Sequence, residues 1–358
     1  MCGQDFPART FRSFLMLNKD ILYLSSLHGV TGSETAVSGA VLDMLRPLAD
    51  NVEIDRSGNV IGHLFCGKAN APKLTLSAHL DQVGLLITEI TDEGFARVAS
   101  VGADPRVILG TKFLALTDTG PLHCYSAAMP PHLQRPGDDE KAINIKDVWL
   151  DLGMDGADAR RLVHPGDAVV FDVEPAELLN RRITGAALDD RAGVACILDA
   201  LRELQGKDLF CDISVLFSTM EESNHQGCLA ALQQIRPDYM IAVDVCHGST
   251  LNCQEYDRVH ELGCGAVIAF GMNSVPAFAK WLEETALSNR IPYEREALPG
   301  KSFTDAWVAQ TTNAGICTAI VSIPLRHMHT PAEVLDLGDA EAVSKLLSAV
   351  CTSFGGLK

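Results

Sequence analysis

His79, Asp189, Glu222, Asp244 and His329 are side chains of metal-ligating type, and a further carboxylate, Glu221, stands beside one of them. Each falls at or just past the end of a strand-like apolar run, except Asp189, which sits on a loop entering a helix. A hydrolase that uses two metals needs this mixture. Imidazoles and carboxylates serve as ligands, one carboxylate can bridge with its two oxygens, and another moves protons.

Taken singly, each candidate also has an ordinary reading. In LTLSAHLDQVGLLI, Leu74 to Ile87, an apolar strand delivers His79 and then Asp81. Positions i and i+2 of a strand share a face, so Asp81 can take the second imidazole N–H and fix the tautomer, but the pair could equally cap a strand end. In TGAALDDRAGVACILDALREL, Thr184 to Leu204, Val194, Ile197, Leu198, Leu201 and Leu204 recur at helical spacing and read as an amphipathic helix. Asp189 and Asp190 before it could cap that helix and complement its positive end. ISVLFSTMEES, Ile213 to Ser223, is a buried-type strand ending in Glu221 and Glu222. Neighbours at a strand end point different ways, which permits Glu222 as ligand and Glu221 as general base; the plain alternative is a solvated acidic loop. In YMIAVDVCHG, Tyr239 to Gly248, Asp244 interrupts an apolar strand, where a lone charge is costly to bury and a cation is one available partner. AIVSIPLRHMHTPAEV, Ala319 to Val334, leads into His327 and His329, which elsewhere are often hydrogen-bonded structure.

Together the candidates argue more strongly, because open α/β sheets collect ligands beyond the carboxyl ends of their parallel strands. A set of His and carboxylates without a cysteine pair suits catalytic zinc, cobalt or manganese rather than a structural zinc. The ordered stretches AHLDQVG, LDDRAG, MEES, AVDV and PLRHMHTPAEV, with GADPRVILG (102–110) and KSFTDA (301–306), resemble the tetrahedral aminopeptidases, the deblocking or glutamyl-type family forty-two of the metallopeptidases, from about Leu17 onward. The resemblance implies a di-metal aminopeptidase acting on peptide substrates. By it, Asp189 bridges two divalent ions (zinc or cobalt first, manganese next), His79 and Asp244 complete one, and Glu222 and His329 the other. Glu221 is then the base, Asp81 the residue behind His79, and Thr304 and Asp305 line the substrate site. It also implies a homo-oligomer, commonly a tetrahedral dodecamer. The chain departs from the family after Glu222, where Ser223, Asn224, His225 and Gln226 replace a more usual Val-Gly-Leu-Arg-like stretch. That difference bears on substrate preference, and His225 and His247, near the site in sequence, could alter metal loading.

Composition narrows the classes. With 29 basic against 46 acidic residues, the net charge of −17 argues against nucleic acid or an anionic membrane as partner, since both require basic surface. An odd total of 11 cysteines, with no C-x-x-C pair, reads as small buried hydrophobes in a reducing, cytoplasmic compartment. No run approaches the ~18 apolar residues of a membrane span. Residues 1–16 read as a short extension, polar for a secretory signal and faintly like a transit peptide.

At 358 residues the chain exceeds one ordinary core. His79 and Asp189 must meet although a long segment separates them, so that segment should be an inserted domain. Its Gly and Pro punctuation and short runs such as KFLALTDTG and DAVVFDV predict a small β-barrel, and the resemblance adds a PDZ-like alternative. The Pro-rich charged stretch at 130–142 reads as an exposed loop. The expected fold is α/β, a doubly wound mixed sheet with helices on both faces plus the inserted domain: residues 1–90 and 181–358 catalytic, 91–180 inserted. Helices are expected at 275–290 and 338–354. A carboxypeptidase or deacylase would share every ligand and differ in its pocket, and a non-catalytic assembly protein could retain the site. A glycosidase using Glu221 and Glu222 fits poorly, because adjacent residues do not readily flank a bond with carboxyls about 5 Å or more apart.

Overall fold

The computed structural model describes residues 8–127, 129–134, 137, 143–251, 253 and 259–357. Most of the loop expected at 130–142, and the first seven residues of the expected extension, lie outside the described residues. The rest of that extension belongs to a helix, Ala8–Ser26, which continues without a break into the buried Leu17, Ile21 and Leu24.

β-Branched and apolar runs become the strands of an 11-stranded mixed sheet. Its centre is parallel: Asp212–Ser218 pairs with Lys73–His79, which pairs with Tyr239–His247, which pairs with Cys317–Arg326. Antiparallel strands complete both edges, Asn51–Ile54 and Val60–Leu64 on one and Glu333–Asp336, Arg182–Gly185 and Ala176–Leu178 on the other. Because successive strand residues face opposite sides, Ile241, Val243 and Val245 enter one core while Met240 and Ala242 enter others. The first core is covered by helices Ala8–Ser26, Leu188–Leu204, Pro276–Ser288 and Leu337–Ser353. On the opposite face lie Gln226–Ile235 and Asp305–Ala309, through Cys228, Leu232 and Ala309. The doubly wound arrangement expected from the alternation of elements is therefore present.

One expectation needs correction. Helix Leu188–Leu204 is not amphipathic in its setting but buried on nearly every side. It is wedged between the sheet and the first and last helices, so its polar residues find partners indoors: Asp199 accepts from the Ser344 hydroxyl at 2.7 Å.

Between the strands Lys73–His79 and Ala176–Leu178, the chain builds a closed antiparallel barrel in the order Gly84–Ile90, Phe95–Val101, Trp149–Asp151, Gly120–Ser126, Lys112–Thr117 and Ala168–Phe171. The two runs expected to be β-type supply the last two of these strands. The barrel has its own core, centred on Phe113 and Phe171 with ring centroids 5.0 Å apart. Phe113→Ala should destabilise the protein by about 3–5 kcal/mol, as removal of a fully buried aromatic ring usually does. Urea unfolding followed by circular dichroism and tryptophan fluorescence would measure this, and a loss below about 1 kcal/mol would show that the barrel core is loosely packed.

Candidate metal centre

The parallel strands all run out at one edge of the sheet, and that edge gathers the candidate ligands. His79 is the last residue of its strand, and Asp244 lies near the end of the next. Glu221 and Glu222 follow the strand Asp212–Ser218, and His329 follows Cys317–Arg326. Asp189 comes from the non-helical start of helix Leu188–Leu204, where Asp189 and Asp190 leave helical geometry before the helix proper begins.

Asp189 sits at the centre. Its Oδ1 lies 3.1 Å from His79 Nε2 and its Oδ2 3.3 Å from His329 Nε2, and His329 Nε2 is also 3.2 Å from Glu222 Oε1. Each oxygen of one carboxylate thus addresses a different imidazole. Donor atoms of His79, Asp189 and Glu222 all lie within 4.8 Å of one another, and so do those of His79, Asp190 and Asp244. Beside them opens a cavity of about 520 Å³ lined by Glu221, His247, Lys301, Phe303 and Thr304 among others. Asp305 is not part of that lining. It is buried behind Glu221, accepting from the hydroxyls of Ser77 and Ser218. His327 is exposed and outside the cluster.

The electrostatics match a cation-seeking site. Burial would raise the Asp189 carboxyl, but the hydrogen bonds from His329 and His79 overrule it and hold it well below the usual range. His329 is correspondingly pushed up to about 10, first by Asp189 and then by Glu222. Burial opposes charge on His79, yet Glu221, Asp189 and Asp81 raise it well above the ordinary imidazole value. Asp190 is raised by burial and then by repulsion from Asp189, and Asp244 by burial and then by repulsion from Asp190. Protonated histidines thus compensate packed carboxylates. A divalent ion would displace those protons and meet the same N and O donors, so the residues fit metal of the zinc, cobalt or manganese kind.

Glu221 is buried, and burial lifts its carboxyl to about 7 against the pull of His79 and His225. His225 Nδ1 approaches Glu221 Oε1 to 2.9 Å and Asp305 Oδ1 to 3.7 Å. The approaches lie off the ring N–H direction, so they are ionic contacts rather than directed hydrogen bonds.

Behind these residues stands a layer that sequence reading largely missed. Asp81 was expected to hold the second nitrogen of His79. Its backbone carbonyl lies nearest, 3.1 Å from Nδ1, and the carboxylate is 3.6 Å away. The carboxylate instead accepts the backbone N–H groups of Glu221 at 2.9 Å and Glu222 at 3.1 Å, with the Thr31 hydroxyl at 2.7 Å. Glu333 performs the same task for the other loops, accepting from Leu188, Asp189 and His329 amides. Asp190 accepts from His79 and Gly193 amides, and a Cβ on Gly193 would lie only 2.4 Å from Asp190 Oδ1, so glycine is required there. The one available signal for Asp190 was its adjacency to Asp189. Glu333 gave no such signal, because its role depends on a loop folding back onto it.

The M42 glutamyl aminopeptidase model matches residues 58–346. The lysyl aminopeptidase of Pyrococcus furiosus is 32% identical over 327 residues, covering 90% of this chain and 93% of that one. The glutamyl aminopeptidase of Lactococcus lactis is 26% identical, over 92% and 94% of the two chains. Among solved structures, aminopeptidase APDkam598 from the archaeon Desulfurococcus kamchatkensis aligns with a TM-score of 0.89 at 30% identity over 96% of each chain. The TET1 peptidase of Pyrococcus horikoshii aligns at 0.84 with 27% identity over 94% of this chain and 100% of that one. The sequence and fold likeness extends along nearly the whole length of these relatives, and the chain belongs to the M42 family of glutamyl aminopeptidases, which are metallopeptidases.

Proposed function

We propose that this metallo-aminopeptidase removes N-terminal residues from peptides with Glu221 as its proton carrier and a pair of divalent ions held by five side chains. His79, Asp189 and Asp244 would hold one ion, and Asp189, Glu222 and His329 the other. Asp81 and Glu333 act as the braces of the loops that carry them. The observation that carries the reading is Asp189, whose two oxygens face His79 and His329 separately. Ions bound there supply Lewis acidity, lowering the pKa of a water and polarising the scissile carbonyl. Glu221 accepts the proton of the attacking water and returns it to the leaving amine. His225 contacts Glu221 Oε1 and keeps the carboxylate turned toward the cluster. The acidic cavity beside it suits a free, protonated α-amine, which favours cleavage at the amino end of a peptide.

Zinc or cobalt is the preferred metal, with manganese next. Residues 84–171, the span of the barrel strands, form a domain inserted into the catalytic one, beginning seven and ending nine residues earlier than the 91–180 expected from sequence. The Pyrococcus horikoshii relative assembles into a tetrahedron or a large octahedral shell. We extend to this chain the coarser statement, that it is a homo-oligomer. Among the described residues no helix is long and apolar enough to cross a membrane, and a cytoplasmic location accords with ten free cysteines among the described residues.

The test is release of p-nitroaniline from free and N-acetylated aminoacyl anilides by chelator-treated protein, before and after titration with zinc, cobalt and manganese. Turnover should vanish on chelation, return with divalent metal and be confined to the free amines. Equal or preferred release of p-nitroaniline from the acetylated series would replace this reading with a peptidase of N-blocked peptides, and release of acetate from that series would replace it with a deacylase of the same metal chemistry.

A further inference from the structure

Away from the catalytic cluster, His260, Cys264 and Glu294 bring a ring nitrogen, a thiol and a carboxylate oxygen within 4.8 Å of one another. His260 Nδ1 and Glu294 Oε2 already pair at 2.8 Å. We propose that these residues form a second, separate binding site for a divalent ion of the zinc class, with Cys264 as its thiolate ligand.

The residue types select the ion. Sulfur with imidazole and carboxylate suits zinc or cobalt and disfavours magnesium or calcium, which take oxygen alone. Tetrahedral bonds of about 2.0–2.3 Å set donors roughly 3.3–3.8 Å apart, so small side-chain rotations close the set and leave a fourth position for water. His260 and Cys264 stand four residues apart on a tight turn containing Gly263 and Gly265, both with positive φ. Asp339 fixes that turn: its two oxygens accept the Gly263 amide at 2.7 Å and the Gly265 amide at 2.6 Å, on either side of Cys264. The cysteine is therefore held in place before any ion arrives, as outer partners of metal ligands usually arrange. Glu294 comes from a different element, strand Tyr293–Leu298, whose pairing with Ala266–Gly271 sets Glu294 beside Val267, just beyond the turn. Burial first, then the negative charge of Asp339, Glu294 and Glu261, pushes the Cys264 thiol up to about 12, so an ion binding there displaces its proton, and the same negative charge attracts a cation.

The site has a reach into the catalytic cavity. The His260 amide donates to the His247 carbonyl at 2.8 Å, and the His260 carbonyl accepts from Ser249 at 2.8 Å. His247 and Cys246 line that cavity. An ion on His260 ties this wall to the strand bearing Glu294.

Cobalt(II) added to the metal-free full-length protein tests the assignment independently of catalysis. The proposed catalytic ligands contain no sulfur, so a thiolate-to-cobalt charge-transfer band in the near ultraviolet reports cobalt on a cysteine, and its loss in Cys264→Ser assigns it to the second site. The wild type should show the band and bind one more cobalt per chain than Cys264→Ser, in which the band is lost. Glu294→Gln alters an exposed side chain with little risk to folding. It should weaken the band's cobalt affinity by at least about tenfold, since even outer partners of a ligand are worth about 10–100-fold. No band in the wild type, or a band unchanged in Cys264→Ser, would reduce the cluster to a His260–Glu294 ion pair beside an inert thiol.

Discussion

Glu221→Gln should lower kcat by about 100- to 10,000-fold, the range that a positioned general acid–base contributes, while leaving metal content and KM close to the wild type. The amide keeps the shape of the side chain and its place beside His225 but cannot accept and return a proton. Glu221 sits on a backbone held by Asp81, so the substitution need not disturb Glu222 or its histidine. Steady-state kinetics on an aminoacyl anilide, with metal counted by mass spectrometry on the same preparations, separates the roles. A loss of kcat accompanied by loss of metal would make Glu221 a ligand. An unchanged kcat would remove it from the chemistry.

The second large effect is on stability and concerns Arg191, a fully buried side chain two residues from Asp189. Its guanidinium donates to the carbonyls of Leu80 at 3.1 Å, Leu24 at 2.9 Å and Leu27, and to Gln82 Oε1 at 2.8 Å. Burial pulls its pKa down to about 10, so it stays charged at neutral pH, and Asp81, Glu333 and Glu34 are the acids that favour that charge. Two of those acids brace the loops that carry the candidate metal ligands, and Glu34 accepts the Met220 amide at 3.0 Å next to Glu221. Arg191→Met should therefore cost about 3–5 kcal/mol, because it strands buried acceptors and leaves buried acids without their counter-ion. Arg191→Lys should recover little of this, since one ammonium cannot span acceptors arranged for a planar fork. Chemical denaturation of the metal-free protein measures the change without the contribution of bound ions. A cost below about 1 kcal/mol would mean that water or a local shift replaces the guanidinium.

Much of the site was legible because its chemistry is tied to strand ends. An apolar run that stops at His79 or just before Glu221 marks both the strand and the place where it opens to the crevice, so residue type and position carried the same message. The barrel was legible from a contradiction, since His79 and Asp189 had to meet across a segment with its own short β runs. The burial of helix Leu188–Leu204 was less accessible, because its polar residues Arg191 and Asp199 read as a solvent face until their internal partners are known.

The sequence by itself determined the metal-type donors, their order along the chain and the α/β class. Only the tertiary structure decided how those donors are aimed. Asp81 turns its carboxylate to the Glu221 and Glu222 amides, Glu333 reaches across to Asp189 and His329, and Arg191 compensates the acids behind them. These contacts join residues distant in the chain, and a hydrogen bond to a backbone amide leaves no mark on the identity of the residue that donates it. The physical reason for the division is that chemical type is local to a residue, whereas orientation and charge compensation belong to the packed interior as a whole.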